Sequence, residues 1–146
     1  NNSDVLFDRG EAELKPEFRA ILNDFFPRYV RIITQPEYRD DILEVRIEGH
    51  TSSGWFGARN EDDAYIRNMD LSQERTRSTL AYVLGLNDVH RDKEWLKRHL
   101  TANGLSSAKV VRNASGDEVG ERSRRVEFRV RTDAEGRIAT ILDKVQ

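Results

Sequence analysis

The stretch that decides the fold runs Ile42-Leu43-Glu44-Val45-Arg46-Ile47-Glu48-Gly49-His50-Thr51-Ser52-Ser53-Gly54. From Leu43 to Glu48 it alternates, with Leu43, Val45 and Ile47 apolar and Glu44, Arg46 and Glu48 charged. A period of two predicts a strand with one buried and one wet face. The alternation stops at Gly49, and the small, polar residues up to Gly54 predict a loop at the strand's C-terminal end. A second alternation, Val126, Phe128 and Val130 against Glu127, Arg129 and Arg131, predicts a last strand.

Working outward, Val5-Leu6-Phe7 reads as a short first strand. Pro16 suits a first helical position, and Phe18, Ile21, Leu22, Phe25 and Tyr29 recur at helical spacing. Pro27 is expected to bend or end that helix, and Gln35-Pro36 breaks it. Trp55 to Arg67 has no clean period, carries Glu61-Asp62-Asp63, and reads as a long loop holding at most a short helix. Ser72 is the expected N-cap of a second helix, with Glu74 in its first turn and Thr76, Leu80, Val83 and Leu84 as its stripe, ending near Gly85.

A third helix is expected over Asp92 to Asn103, burying Trp95, Leu96, His99 and Leu100 and stopped by Gly104. Lys109 to Arg112 is a short strand candidate, Gly116 to Glu121 a polar loop, and Ile138, Ile141, Leu142 and Val145 suggest an amphipathic tail helix. The order β-α-β-α-α-β-β implies an α/β sandwich with helices packed on one sheet.

The 146 residues suit one domain, with a core over about 5–131 and 132–146 as a C-terminal extension. A mean hydropathy of −0.73 fits no membrane span, which needs roughly 18–20 apolar residues in a row. A net charge of −2 carries no global nucleic-acid signature. With no cysteine there is no disulfide framework, thiolate metal site or cysteine nucleophile. The chain opens on Asn1, and any anchor is expected upstream in a longer parent.

The chemistry concentrates where the strand ending Glu48-Gly49-His50-Thr51 meets Asn68-Met69-Asp70-Leu71-Ser72-Gln73-Glu74-Arg75. A loop beside a helix N-terminus offers free backbone N–H groups, and Arg75 at the third helical position adds a planar fork suited to a carboxylate. Many helix N-termini carry an arginine and bind only water, so the alternative for Arg75 is a surface ion pair. His50 has no partner at metal-ligand spacing and is expected to make a structural hydrogen bond. His99 is expected near the core on a helix face. The acidic run Glu61-Asp62-Asp63 does not match a calcium loop and reads as solvated. Arg122, Arg124 and Arg125 fit strand-edge ion pairs or a glycan or peptide contact better than a nucleic-acid patch. No nucleophile elbow or phosphate loop is present, so neither catalysis nor a cofactor is expected.

Glu-Gly-His-Thr after an alternating strand, Asn68-x-x-Leu71-Ser72-x-x-Arg75, and Ser123-Arg124-Arg125-Val126-Glu127 opening the last strand together resemble the OmpA-like/MotB-like C-terminal domain family. Leu6-Phe7-Asp8 followed by Leu14-Lys15-Pro16 fits the same family's opening, so the likeness covers about Val5 to Val130. The resemblance implies a two-layer α/β (α+β) sandwich with a mixed four-stranded sheet. It also implies non-covalent binding of peptidoglycan through the diaminopimelate of the stem peptide, in the periplasm.

By resemblance, Arg75 grips a diaminopimelate carboxylate, Asn68 and Leu71 wall the pocket, and Thr51 is the loop threonine. Phe7 and Asp8 border the site, and Arg124 and Arg125 match the arginine pair. Where the family carries an aspartate after Gly-His-Thr, this chain carries Ser52. Losing that partner for the ligand's ammonium costs about 1.5–3 kcal/mol, with Asp70, Glu61, Asp62 or Asp63 as candidates to restore the charge.

The implied parent is either a MotB-like stator subunit paired with a membrane proton-channel partner, or an outer-membrane protein of the OmpA or Pal sort. The alternative function is that wall binding has been lost and the domain serves protein contact or homodimerisation. Ser52 and the adjacent Trp55 and Phe56 motivate it.

Overall fold

The computed structural model describes residues 5–133, so the expected tail helix lies outside the described residues. The alternating stretch forms β1, Ile42–His50, at the centre of a three-stranded sheet. On one side β2, Leu100–Gly104, runs parallel to it, with Val45 opposite Leu100 and Gly49 opposite Gly104. On the other side β3, Arg125–Thr132, runs antiparallel, with Ile47 opposite Phe128 and His50 opposite Arg125. The register slips between Ile42 and Glu44, which takes Leu43 out of the expected alternation and leaves it 48% exposed. Val45 and Ile47 keep their buried face, while Glu44, Arg46, Glu48 and His50 share the opposite one.

Helix α1, Pro16–Ile33, begins on its proline and buries Phe18, Leu22, Phe26, Val30 and Ile33 as one stripe. Pro27 lies inside this helix and does not end it. Each buried side chain of the stripe contributes about 1.5–3 kcal/mol, enough together to offset the ~3 kcal/mol cost of an interior proline. After the short α2, Pro36–Arg39, the chain enters β1.

The expected first strand does not form, and among the described residues the sheet has three strands and not four. Phe7 makes a single bridge to Leu14 through a turn with Gly10 at φ 73°, and its ring meets Phe18 edge-on at 5.5 Å. The apolar run therefore buries itself against α1 and not along the sheet.

The largest departure is helix α3, which runs over Glu61–Leu84. It starts in the acidic run that reads as loop, not at Ser72. The Asn60 side chain accepts from the Asp63 N–H at 2.8 Å, and Asp63 accepts from the Arg59 N–H at 3.0 Å, a reciprocal cap. Three acidic residues in the first turn complement the helix dipole. The buried positions of α3 include Ala64, Asn68, Ser72, Thr76 and Thr79, helical in period but small or polar in type. Their hydroxyls bond back to the helix, Thr76 to the Ser72 carbonyl at 3.0 Å and Thr79 to that of Arg75 at 2.8 Å.

Small side chains let α3 lie close on the sheet. A Cβ on Gly49 would meet Thr76 Cγ2 at 2.7 Å, and one on Gly104 would collide with the backbone of Ser72 and Gln73. Gly104 thus ends a strand at a close helix contact, and is not a helix stop. Asn87–Asp92 forms a 3-10 turn, α4 is only Lys93–His99, and Leu100 is already extended at φ −86° and ψ 124°. His99 stacks on Trp95 at 4.2 Å and closes α4. Lys109 to Arg112 is no strand, having one bridge from Arg112 to Glu118 before α5, Gly120–Ser123.

Candidate functional site

The C-terminal end of β1, α3 and the Phe7–Gly10 turn enclose a groove of about 770 Å³. Thr51 is fixed at the strand end, its N–H donating to the Ser106 carbonyl at 2.9 Å and its hydroxyl to the Ser52 carbonyl at 2.9 Å. Asn68, 3% exposed, donates from Nδ2 to the Gly54 carbonyl at 3.1 Å and so clamps the loop to α3. Leu71 lies one turn of α3 further along, buried in the wall.

Arg75 follows one turn later, in the interior of α3. The backbone N–H groups around it are therefore within the helix, and the cationic character of the groove comes from side chains. Nε of Arg75 donates to the Glu11 carbonyl at 2.8 Å and Nη2 to the Asp8 carbonyl at 3.1 Å. Its Cζ lies 4.7 Å from the centroid of the Phe7 ring. Burial, and then repulsion from Arg124, push its pKa down to about 10, with Glu11 opposing. It stays charged at neutral pH, a partly desolvated cation in a groove also lined by Arg9 and Arg124.

Other expected residues are placed differently. Asp8 offers its backbone carbonyl, while its side chain is 74% exposed and pairs with Lys15 at 3.7 Å. Asp70 is exposed on α3. Neither it nor Glu61, Asp62 or Asp63 lines the groove, and Asp63 is engaged by Arg59 and Arg67. Ser52 lines it, its hydroxyl 3.4 Å from Arg124 Nη1. Of the arginine pair, Arg124 lines the groove. Arg125 pairs with Glu127 at 3.1 Å and donates to the Ser123 carbonyl at 3.0 Å, over a narrow cleft beneath. Arg9 and Gly10 also line the groove and carry no motif that flags them; Trp55 and Phe56 do too, and are legible in the sequence only as adjacent aromatics.

No family model matches the chain. The Zorya protein ZorB of Escherichia coli is 48% identical over 141 residues, covering 97% of this chain and 59% of that protein. The chain thus spans about three fifths of the curated relative it matches. A MotB-like protein from Desulfovibrio vulgaris aligns at 27% identity with a TM-score of 0.61, covering 91% of this chain and 71% of that one. The cell wall anchor of the type VI secretion system (T6SS) from Pseudomonas aeruginosa aligns at 23% with a TM-score of 0.54, covering 90% and 78%.

The chain is similar in sequence to ZorB and shares its fold with MotB-like proteins.

On the sheet face away from the helices, the domain gathers Glu48, His50 and Glu127, whose ligand atoms lie within 4.8 Å of one another. The sequence spacing conceals them, because Glu127 joins from β3. His50 Nε2 lies 3.1 Å from Glu127 Oε2 and 3.4 Å from Glu48 Oε1, yet among the described residues neither ring nitrogen makes a directed hydrogen bond. The expected structural hydrogen bond is thus replaced by an ionic cage. Glu48 already holds Arg46 at 2.9 Å and Arg129 at 3.1 Å, and Glu127 holds Arg125 at 3.1 Å and Arg129 at 3.0 Å. A dication would have to displace three guanidinium groups, so the set fits a charge-balanced sheet face better than a metal centre. Burial, and then Arg125, hold His50 below its ordinary pKa of 6.5.

Proposed function

We propose that this domain binds peptidoglycan without catalysis, holding carboxylates of a diaminopimelate-containing stem peptide, and so tethers a parent envelope protein to the cell wall from the periplasmic side. The observation that carries this is the groove's charge. Arg75, Arg124 and Arg9 line it, and no carboxylate among the described residues does. A stem peptide is rich in free carboxylates, and Arg75 retains an Nη1 edge with no hydrogen bond among the described residues. Thr51 and Ser52 add hydroxyls beside it.

The 48% identity to ZorB favours a stator-type parent, in which a membrane-spanning segment and a proton-channel partner complement this domain. Among the described residues no helix is long and apolar enough to cross a membrane. The second reading, a protein-contact or dimerisation module, is favoured by Phe56, which is 92% exposed. Sedimentation with purified sacculi tests between them. Retention of the wild type and its loss in Arg75→Ala is the expected result, and equal, weak retention of both overturns it.

A further inference from the structure

The groove has two chemically different ends, and the wall-binding reading uses only one. Beside the cationic end stands the loop Gly54–Gly57, which brings Trp55 and Phe56 to the same groove. Phe56 is 92% exposed and stands beside Trp55 as an adjacent aromatic pair at the groove, a residue type enriched at binding surfaces. The setting is held from several sides. Ser53 donates to the Glu118 carboxylate from N at 3.2 Å and from Oγ at 3.0 Å. The Gly54 carbonyl is held by Asn68 at 3.1 Å, and the Ala58 N–H closes a turn onto the Trp55 carbonyl at 3.1 Å. Gly57, at φ 82°, makes that turn sterically allowed. Asn60 then caps α3, so the loop leaves directly into a fixed helix.

Resting on the wall-binding reading, we infer that Phe56, with Trp55, is a stacking platform for a pyranose ring of the glycan strand, so that the groove takes a sugar-bearing muropeptide and not a bare stem peptide. A pyranose presents a face of C–H bonds to an aromatic ring while its hydroxyls stay in water, which suits a ring displayed at a polar rim. The covalent chemistry of the ligand supports the same occupant. Two amino acids and a lactyl linkage separate diaminopimelate from the sugar, roughly 10 Å of extended chain, so a peptide held at Arg75 brings its sugar within reach of the same groove. At about 770 Å³, the groove has room for more than one amino-acid side chain. Rings held by a preorganised loop lose little freedom on binding.

The test is calorimetry of the chain with two probes, a disaccharide tetrapeptide and the same tetrapeptide freed of sugar. Wild type is expected to bind the sugar-bearing probe about five- to tenfold more tightly. Phe56→Ala and Phe56→Leu should abolish that difference while leaving affinity for the free peptide within about twofold, and Phe56→Trp should preserve it. Phe56 is so exposed that these changes leave the core untouched. Equal wild-type affinity for both probes, or a difference that survives Phe56→Ala, overturns the inference alone. Failure of both probes to bind overturns the wall-binding reading and this inference with it.

Discussion

Arg75 lies over the face of Phe7, its guanidinium carbon 4.7 Å from the ring centroid, and hydrogen-bonds two carbonyls of the turn that follows that ring. One side chain thus joins α3 to an N-terminal segment that is more than sixty residues away in the chain. It serves as strut and as candidate ligand grip together.

Arg75→Lys separates these roles. Lysine keeps the charge but cannot reproduce the two-carbonyl fork, so the Phe7–Glu11 turn should loosen at a cost of about 1–2 kcal/mol, seen in urea denaturation. Sacculus retention is expected to fall at least about tenfold. A variant with full retention would remove Arg75 from the site.

Ser52→Asp places a carboxylate where the family carries one. Ser52 Oγ already lies 3.4 Å from Arg124, so the new charge will be shared between that arginine and a ligand ammonium. Calorimetry with the tetrapeptide should show a gain of about three- to tenfold, below that of an unshared charge-assisted bond.

Gly104→Ala forces a Cβ into the backbone of Ser72 and Gln73, which cannot swing aside as a side-chain tip could. A loss of about 1–3 kcal/mol is expected in chemical denaturation. Gly54→Ala, with nothing within 4 Å, is the control and should change stability by less than about 0.5 kcal/mol.

Tyr29 presents the opposite case. Its hydroxyl is buried without a partner among the described residues, and burial pushes its pKa up to about 12. Tyr29→Phe removes an unpaired polar atom while keeping the ring between Phe25 and Phe128. Stability should hold or rise by about 1 kcal/mol, read from the denaturation midpoint. A loss above that would mean the hydroxyl has a partner.

His50 sets a pH dependence. Its pKa is lowered in the folded state, so as pH falls below 6.5 the unfolded chain takes up a proton that the native state resists. Stability contributed by the neutral ring is therefore present above pH 6.5 and lost as pH falls through the folded pKa. Glu48 and Glu127 favour the charged ring and Arg125 opposes it, with burial the largest influence. Glu48 itself, whose pKa is lowered from 4.5, adds a further loss only at more acidic pH. Urea denaturation at about pH 7.5 and about pH 5.5 should show a smaller drop in His50→Gln than in wild type. An identical drop would place the proton uptake elsewhere.

How legible each element is depends on the type of code in which it is written. β1 buries Val45 and Ile47 and β3 packs the half-buried Val126 and Phe128 against the same core, both at period two, so hydropathy alone exposes them. The stripe of α1 is aromatic and aliphatic, and it is equally plain. The first half of α3 buries Ala64, Asn68 and Ser72, a helical period with little hydrophobic contrast, so the expected N-cap at Ser72 lies twelve residues beyond the observed one at Asn60. β2, Leu-Thr-Ala-Asn-Gly, is short and mixed, and the preceding Trp95-Leu96-His99 spacing extends a helix over it.

The sequence by itself determined the mixed helix-and-strand architecture and the loop after β1, because short-range spacing and residue type encode them, while Thr51, Asn68, Leu71 and Arg75 were grouped as one motif by the family resemblance. Only the tertiary structure decided that Arg124 and not Arg125 faces the groove, that no acid among the described residues lines it beside Ser52, and that Trp55 and Phe56 share it with Arg75. Those relations depend on how β3, α3 and the Phe7 turn converge from distant parts of the chain, and local spacing carries no record of that convergence.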